Sequence, residues 1–282
     1  VPREDLHPPP HQRGMKILNV IVSMDEETGG GGTERAFQMS RHLSKAGHDV
    51  TVLTTTYGLT PKVRAGLEQA RVVAVPHVFS RFLVPLPLLG RIDRAVKHAD
   101  VVHFINHGSL LNALAYLSVR WRRKPYVVSP LGALAVFGRS RIIKNVYNAV
   151  VGRRLIRNAS RFVVATLTEL PAFDAYGVDR SRLAHIPNGI NEEDYVYIED
   201  GDGLRDRIGV GGNPFLLFIG RINLIKGPDI LLDAFCRVHQ ALPSLHLVYR
   251  GSDQGMVSAL RQTAAAHGVA GLVHFPCFVS RE

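Results

Sequence analysis

Two cations bracket a turn in FIGRINLIKG, residues 218–227. Arg221 follows the glycine that ends an apolar stretch, and Lys226 stands just before Gly227 and Pro228, where an amphipathic pattern begins. A guanidinium and an ammonium placed in advance at the carboxyl end of a strand suit the charge that develops on a phosphate-rich leaving group. The pattern is not a phosphate-cradling P-loop, because neither Ser nor Thr follows the lysine and the preceding glycine is too far away. The plainer alternative is a surface Arg and Lys on a loop between strand and helix.

Three further groups could take part in chemistry. GGGGTE, residues 29–34, separates the first apolar run from the first helical pattern. Gly31 and Gly32 there would let a diphosphate come close to the backbone at a helix N-terminus. The spacing is not GxGxxG, and the second strand ends in TTTYG without an acidic residue for a ribose, so a nicotinamide cofactor is not expected. A loop without ligand is the alternative. His103 and His107, in DVVHFINHG, fall at another strand tip, where an imidazole can act as a general base or hold a substrate hydroxyl. A half-buried structural histidine is the commoner case, so at least one of the two is expected to be structural. Asn188 and Gly189, in the turn PNG, end the last strand of the first half and suit a hinge.

The elements that must position these residues follow from hydrophobic periodicity. KILNVIVSM, HDVTVLTTT, RVVAVPHV, DVVHFINH, PYVVSPL, RFVVATL and RLAHIPNG read as strands, with helices over 34–47, 110–122 and 142–157. Strand and helix in alternation predict an α/β fold with doubly wound parallel sheets. The alternation restarts at PFLLFIG, and in the helix after it Ile230, Leu231, Ala234, Phe235 and Val238 are expected to form the buried face. We therefore expect a disordered tail over 1–14, a Rossmann-like domain over 15–190, an acidic, glycine-rich linker over 191–213 and a second Rossmann-like domain over 214–282. Only about three strands fall in the second, fewer than such a sheet usually has, so we expect it to be incomplete.

Composition narrows the class. The 282 residues are 46% hydrophobic and hold two cysteines, Cys236 and Cys277, without CxxC or Cys/His ligand spacing. No zinc site, metal or disulfide is expected, and a reducing cytosol fits. The first residues lack the apolar core of a secretory signal, and no run approaches the ~18 residues of a membrane span. The net charge of +10 gathers in RWRRK (120–124) and across 139–157. The latter stretch mixes Ile142, Ile143, Val146, Val150 and Val151 with Arg141, Lys144, Arg153, Arg154 and Arg157. It suits a peripheral contact with an anionic membrane or, equally, a core helix with a solvated basic side. Nucleic acid is not an expected partner: aromatic content is 7% and no recognition motif is present.

GGGGTERA, DVVHF, SPLGAL before a basic helix, VVAT, IPNGIN, FIGRINLIKGPDILLDAF, LVYRGSD and VHFPCFVSRE come in the order of the family-4 glycosyltransferases, whose fold is GT-B, and the chain resembles them from Met15 to Glu282. The resemblance implies two Rossmann-like domains facing a cleft and a retaining transfer of sugar from a nucleotide-sugar donor to a saccharide or lipid-linked acceptor. No metal or cofactor is implied beyond the co-substrate. Surface polysaccharide or glycolipid assembly in the cytoplasm, at the inner face of the membrane, is the implied setting. By the same resemblance Arg221 and Lys226 grip the donor diphosphate, Gly31 and Gly32 approach it, and Asn188 and Gly189 lie near the interdomain hinge; His103, at its strand tip in the first half, is expected on the acceptor side. Relatives carry an arginine or histidine within SPLGAL where this chain has Pro130 and Leu131, so His107 is the substitute candidate for a catalytic role. Asn191 replaces a usual Asp and Cys277 a common Gly. The family's two-glutamate donor motif would fall beyond Glu282, so the 282 residues alone are expected not to turn over. A non-catalytic nucleotide- or sugar-phosphate-binding short form is the alternative reading.

Overall fold

The computed structural model describes residues 14–26, 29–78, 83–86, 88–134, 141–190 and 201–276. Residues 1–13 of the expected 1–14 tail, the linker residues 191–200 with Asn191 among them, Cys277 and Glu282 lie outside them. The chain forms two compact units, Val1–Gly189 and Ile190–Glu282.

In unit 1 the elements run β1 (Lys16–Val20), α1 (Gly30–Lys45), β2 (Asp49–Thr55), α2 (Pro61–Gly66), β3 (Arg71–Val75), β4 (His77–Val78), β5 (Val84–Pro85) and α3 (Leu89–His98). They continue with β6 (Val101–Ile105), α4 (Leu110–Arg122), β7 (Tyr126–Ser129), α5 (Arg141–Tyr147), α6 (Arg153–Arg157), β8 (Arg161–Val164), α7 (Leu170–Asp174) and β9 (Leu183–His185). Seven strands form one parallel sheet in the order β3-β2-β1-β6-β7-β8-β9. Both faces are covered. Val50 and Val52 of β2 pack with Ala36 of α1 and Val63 of α2, whereas Leu18, Val20 and Phe104 pack with Ile92 of α3 and Leu111 of α4. That is why the central strands read as nearly continuous apolar runs.

The first helix starts four residues earlier than its apolar period indicated, so that Gly30, Gly31 and Gly32 are its first turn. The stretch 142–157 is not one regular helix. A π turn over Asn148–Gly152 joins α5 to α6. Leu155 and Ile156 are fully buried and Val151 packs on the core, but Ile142 is 80% exposed, and Ile143, Val146 and Val150 are exposed with it. Only the second half of this stretch is a core helix.

Unit 2 contains α8 (Gly201–Ile208), β10 (Phe215–Ile219), α9 (Pro228–Val238), β11 (His246–Arg250), α10 (Val257–Ala266) and β12 (Val273–His274). Its three strands are parallel, in the order β10-β11-β12. Residues 201–213, read from composition as linker, belong to this unit: Ile208 and Val210 are buried against Val248. The inward side of α9 also differs from the expectation. Pro228, Leu232 and Phe235 are buried, while Ile230 is 73% exposed. The Tyr249 hydroxyl donates to the Pro228 carbonyl (2.6 Å), which docks the first turn on the sheet and sets the i, i+4, i+7 row inward.

Candidate functional site

In unit 2 the strand β10 ends at Ile219, and the chain turns through residues 220–223 into a short 3-10 turn, Leu224–Lys226. Two loops are laced together here. Gly220 N–H donates to the Arg250 carbonyl (2.9 Å), Ile222 N–H to the Ser252 carbonyl (2.9 Å), and Gln254 N–H to the Ile222 carbonyl (3.1 Å). Asn223 Nδ2 donates to Gln254 Oε1 (2.7 Å), and Asn223 Oδ1 accepts from Lys226 N–H (3.2 Å). Gly251 permits the close approach: a Cβ there would lie 1.9 Å from the Gly220 carbonyl oxygen, and its φ is +152°. Gly227, at φ +65°, turns the chain into α9. Ile222 is buried and anchors the loop, leaving Arg221 half-buried and Lys226 exposed. Neither cationic side chain has a hydrogen bond or ion pair among the described residues. The backbone is fixed and the charges are left over, which is the arrangement an anionic ligand needs.

In unit 1 the strand tips carry a second cluster. An added Cβ at Gly31 would meet nothing within 4 Å, and at Gly32 only Leu131 Cδ1 at 3.5 Å. Their N–H groups belong to the first helical turn, where no earlier carbonyl of the helix is available. The glycines that the fold itself requires here are Gly29, whose Cβ would sit 1.9 Å from Thr33 Oγ1 and 2.5 Å from the Asp25 carbonyl, and Gly30, at φ +60°. Beside this turn two neighbouring strand tips hold left-handed residues without being glycine: Asn106 at φ +67° after β6, and Leu131 at φ +53° after β7. Such conformations cost of order 1 kcal/mol or more and gather at functional loops. Asn106 is secured by its N–H to the Ser129 carbonyl (2.8 Å) and by its carbonyl accepting from Asn112 Nδ2 (3.0 Å). The Leu131 turn is secured by Gly132 N–H donating to Glu169 Oε2 (2.8 Å).

The two histidines part company. His103 is 6% exposed, and both ring nitrogens are engaged, Nδ1 with Asn19 Oδ1 (3.2 Å) and Nε2 with Ser129 Oγ (2.7 Å). Asn19 Nδ2 donates in turn to Ser40 Oγ (2.9 Å), and Ser40 Oγ to the Ala36 carbonyl (2.7 Å). One direction of donation satisfies the row: Ser129 hydroxyl to Nε2, Nδ1–H to Asn19, Asn19 to Ser40, Ser40 to Ala36. Burial, with the Arg35 charge adding to it, lowers the His103 pKa to about 4. The expected acceptor-side role does not fit a sealed, fully bonded imidazole; His103 instead ties β7, β6 and β1 to α1. His107 is 4% exposed, its carbonyl accepts from the Tyr147 hydroxyl, and its pKa is also lowered to about 4 by burial. Among the described residues its buried Nδ1 has no partner, nor has Oδ1 of Asn112. A buried polar atom without a partner is uncommon and calls for a ligand or water.

Asn188 is held by a residue that the sequence reading missed. Arg35, 6% exposed in α1, donates through Nη1 to Asn188 Oδ1 (2.5 Å) and through Nη2 to the Ile186 carbonyl (3.0 Å). Burial pulls the guanidinium pKa down, and the nearby Glu169 carboxylate offsets part of this. Glu169, also buried, accepts from the N–H groups of Ala165 (3.1 Å) and Thr166 (3.3 Å) besides Gly132. Thr166-x-x-Glu169 is a capping-box pattern, a signal that was legible in the sequence. Gly189, next to Asn188, is the last residue of unit 1. Among the described residues no group of three or more His, Cys, Asp or Glu side chains is arranged to hold a metal ion.

Comparison with known proteins decides the family. The model named Glycosyltransferase Family 4 matches residues 29–194, more than half of the chain. The chain belongs to glycosyltransferase family 4. Two similar curated proteins of this kind are D-inositol 3-phosphate glycosyltransferases. That of Geodermatophilus obscurus is 28% identical over 302 aligned positions, covering 93% of this chain and 65% of the relative. That of Acidothermus cellulolyticus is 29% identical, covering 84% of this chain and 58% of the relative. The family-4 chain thus spans two thirds or less of their length. Among solved structures it is similar to Anabaena Alr3699/HepE, crystallised with UDP and glucose, at a TM-score of 0.73 and 21% identity over 95% of this chain and 70% of that one. WaaG, a glycosyltransferase of lipopolysaccharide biosynthesis, matches at a TM-score of 0.61 and 18% identity over 94% of this chain and 70% of that one. The fold is accordingly of GT-B type, with Rossmann-like α/β units built on parallel sheets.

Proposed function

We propose that this family-4 protein moves a sugar, with retention of configuration, from a nucleotide-sugar donor to a saccharide or lipid-linked acceptor in surface polysaccharide or glycolipid assembly. The observation that carries the donor side is the pair Arg221 and Lys226, cationic, at a strand tip and without partners among the described residues. As the bond between the anomeric carbon and the diphosphate oxygen breaks, negative charge grows on the leaving group, and two prearranged cations stabilise it without a metal ion. The first-turn N–H groups of Gly31 and Gly32 are donors of the same kind, with open space above them. On the acceptor side, a hydroxyl that supplies the missing partner of His107 Nδ1 is the role proposed for that residue. Asn188 and Gly189 are proposed as the hinge, held on one side by Arg35.

Peripheral membrane contact at the inner face belongs to the same reading. It rests on the exposed Ile142, Ile143, Val146 and Val150 of the α5 region beside Arg153 and Arg154. No helix among the described residues is long and apolar enough to cross a membrane.

Thermal denaturation of the chain with UDP, GDP or ADP tests the donor site, because a ligand that binds only the folded state raises Tm. One of the three should raise it, and the double variant R221S/K226S should abolish the rise. A rise that survives both substitutions would sink the assignment. Release of nucleoside diphosphate only when acceptor is present separates a transferase from a nucleotide-binding protein.

A further inference from the structure

A cavity of about 340 Å³ lies on the flank of unit 1, away from the residues discussed so far. It opens along β3, the end strand of the seven-stranded sheet, beside α3, and no residue of the glycine turn or of the β6 and β7 tips lines it. Its volume falls in the range of small-molecule sites.

The charge of its wall is one-sided. Arg71, Arg91, Arg94 and His98 line it, with Thr51 and Ala95 between them. Arg91, Arg94 and His98 are spaced i, i+3, i+7, one stripe of α3, and Arg71 opens β3 in register with Thr51. Like charges three apart on a helix oppose its stability. No hydrogen bond or ion pair joins the side chains of these four residues to any described residue. The acid of α3, Asp93, is already taken: Arg122 of α4 holds it in a two-pronged pair, Nε to Oδ1 at 2.6 Å and Nη2 to Oδ2 at 2.5 Å. That pair draws the carboxylate pKa down and leaves the cavity without a counter-charge from its own helix. Guanidinium groups match phosphate oxygens in pairs, and three around one concave site suit a dianion.

We propose that this cavity is a second anion site, separate from the strand tips, which takes a phosphate monoester. The group recognised is the same whether a soluble metabolite or a lipid headgroup carries it. The inference stands without the proposed sugar transfer, because it uses none of the same residues.

Inorganic phosphate and glycerol 3-phosphate, titrated into the 282-residue chain while backbone amide NMR signals are recorded, provide the test. The expected result is saturable shifts over Arg71–Ala74 and Arg91–His98 that persist in R221S/K226S. In R91S/R94S, where both replaced side chains are solvent-exposed and the fold has no need of them, binding should weaken about tenfold or more. R91K/R94K keeps the charge but loses the fork and should fall between. Flotation with phosphatidylcholine vesicles containing phosphatidic acid separates the sources. Pick-up that R91S/R94S abolishes puts the phosphate on a lipid, and no pick-up with a retained response to the soluble probes puts it on a small metabolite. Shifts confined to Arg221–Lys226, shifts unchanged in R91S/R94S, or no response to any probe would overturn the proposal.

Discussion

Protonating His103 should destabilise unit 1 from within, by an amount that follows from its pKa shift. The folded pKa is about 4, whereas a solvated histidine titrates near 6.5. The group is depressed in the fold, so the stability it contributes is complete above the unfolded value and drains away as pH falls toward the folded one. Between about pH 7.5 and about pH 5 the unfolded state gains a proton that the native state refuses, which costs about 2 kcal/mol for this one residue. The physical cause is that imidazolium has two donors: Nε2 could no longer accept from Ser129, and a charge would sit buried in the field of Arg35. His107, with a similar pKa, should add a comparable loss. Urea denaturation at both pH values is the assay. Wild type should lose about 4 kcal/mol from the two residues together, and H103Q, which cannot titrate, about half of that. The slope against pH, not the absolute stability, is the readout, so a generally weaker variant is still informative. Equal losses in wild type and H103Q would refute the reasoning.

Four more outcomes follow from local contacts or their absence. Arg35→Met should destabilise unit 1 by about 2 kcal/mol and speed amide exchange over 186–189, and Arg35→Lys should restore only part, because one ammonium cannot span both acceptors. Gly29→Ala should cost about 2–3 kcal/mol through its clash with Thr33 and Asp25. Gly31→Ala, with open space above it, should hold or gain up to about 1 kcal/mol in urea denaturation yet bind the nucleotide more weakly in calorimetry. Gly251→Ala drives a Cβ into the Gly220 carbonyl at a left-handed φ, so we expect a loss of roughly 3 kcal/mol or more and no nucleotide-dependent rise in Tm. A variant with wild-type Tm would show that the two loops can separate.

What the sequence determined by itself was the local and the periodic. Runs such as Lys16–Val20 and Val101–Ile105 can be satisfied only by strands buried on both faces, and their alternation with helical patterns leaves a parallel sheet as the economical solution. Gly220, Gly227 and the two cations marked a strand tip without any knowledge of the partner loop. Folding decided what depends on residues far apart in the chain. His103 read as a site residue because its neighbours place it near a tip; Asn19 and Ser129, 84 and 26 positions away, claim its nitrogens instead. Arg35 lay hidden in a helical pattern, and its use became visible only with the Ile186–Asn188 turn folded over it. Leu131 gave no sign of a left-handed turn, since that turn is held through Gly132 by Glu169, which follows the neighbouring strand β8. Periodicity says that a helix has a face, and only packing says which neighbour covers it: α9 turns Pro228, Leu232 and Phe235 inward because Tyr249 reaches its first turn.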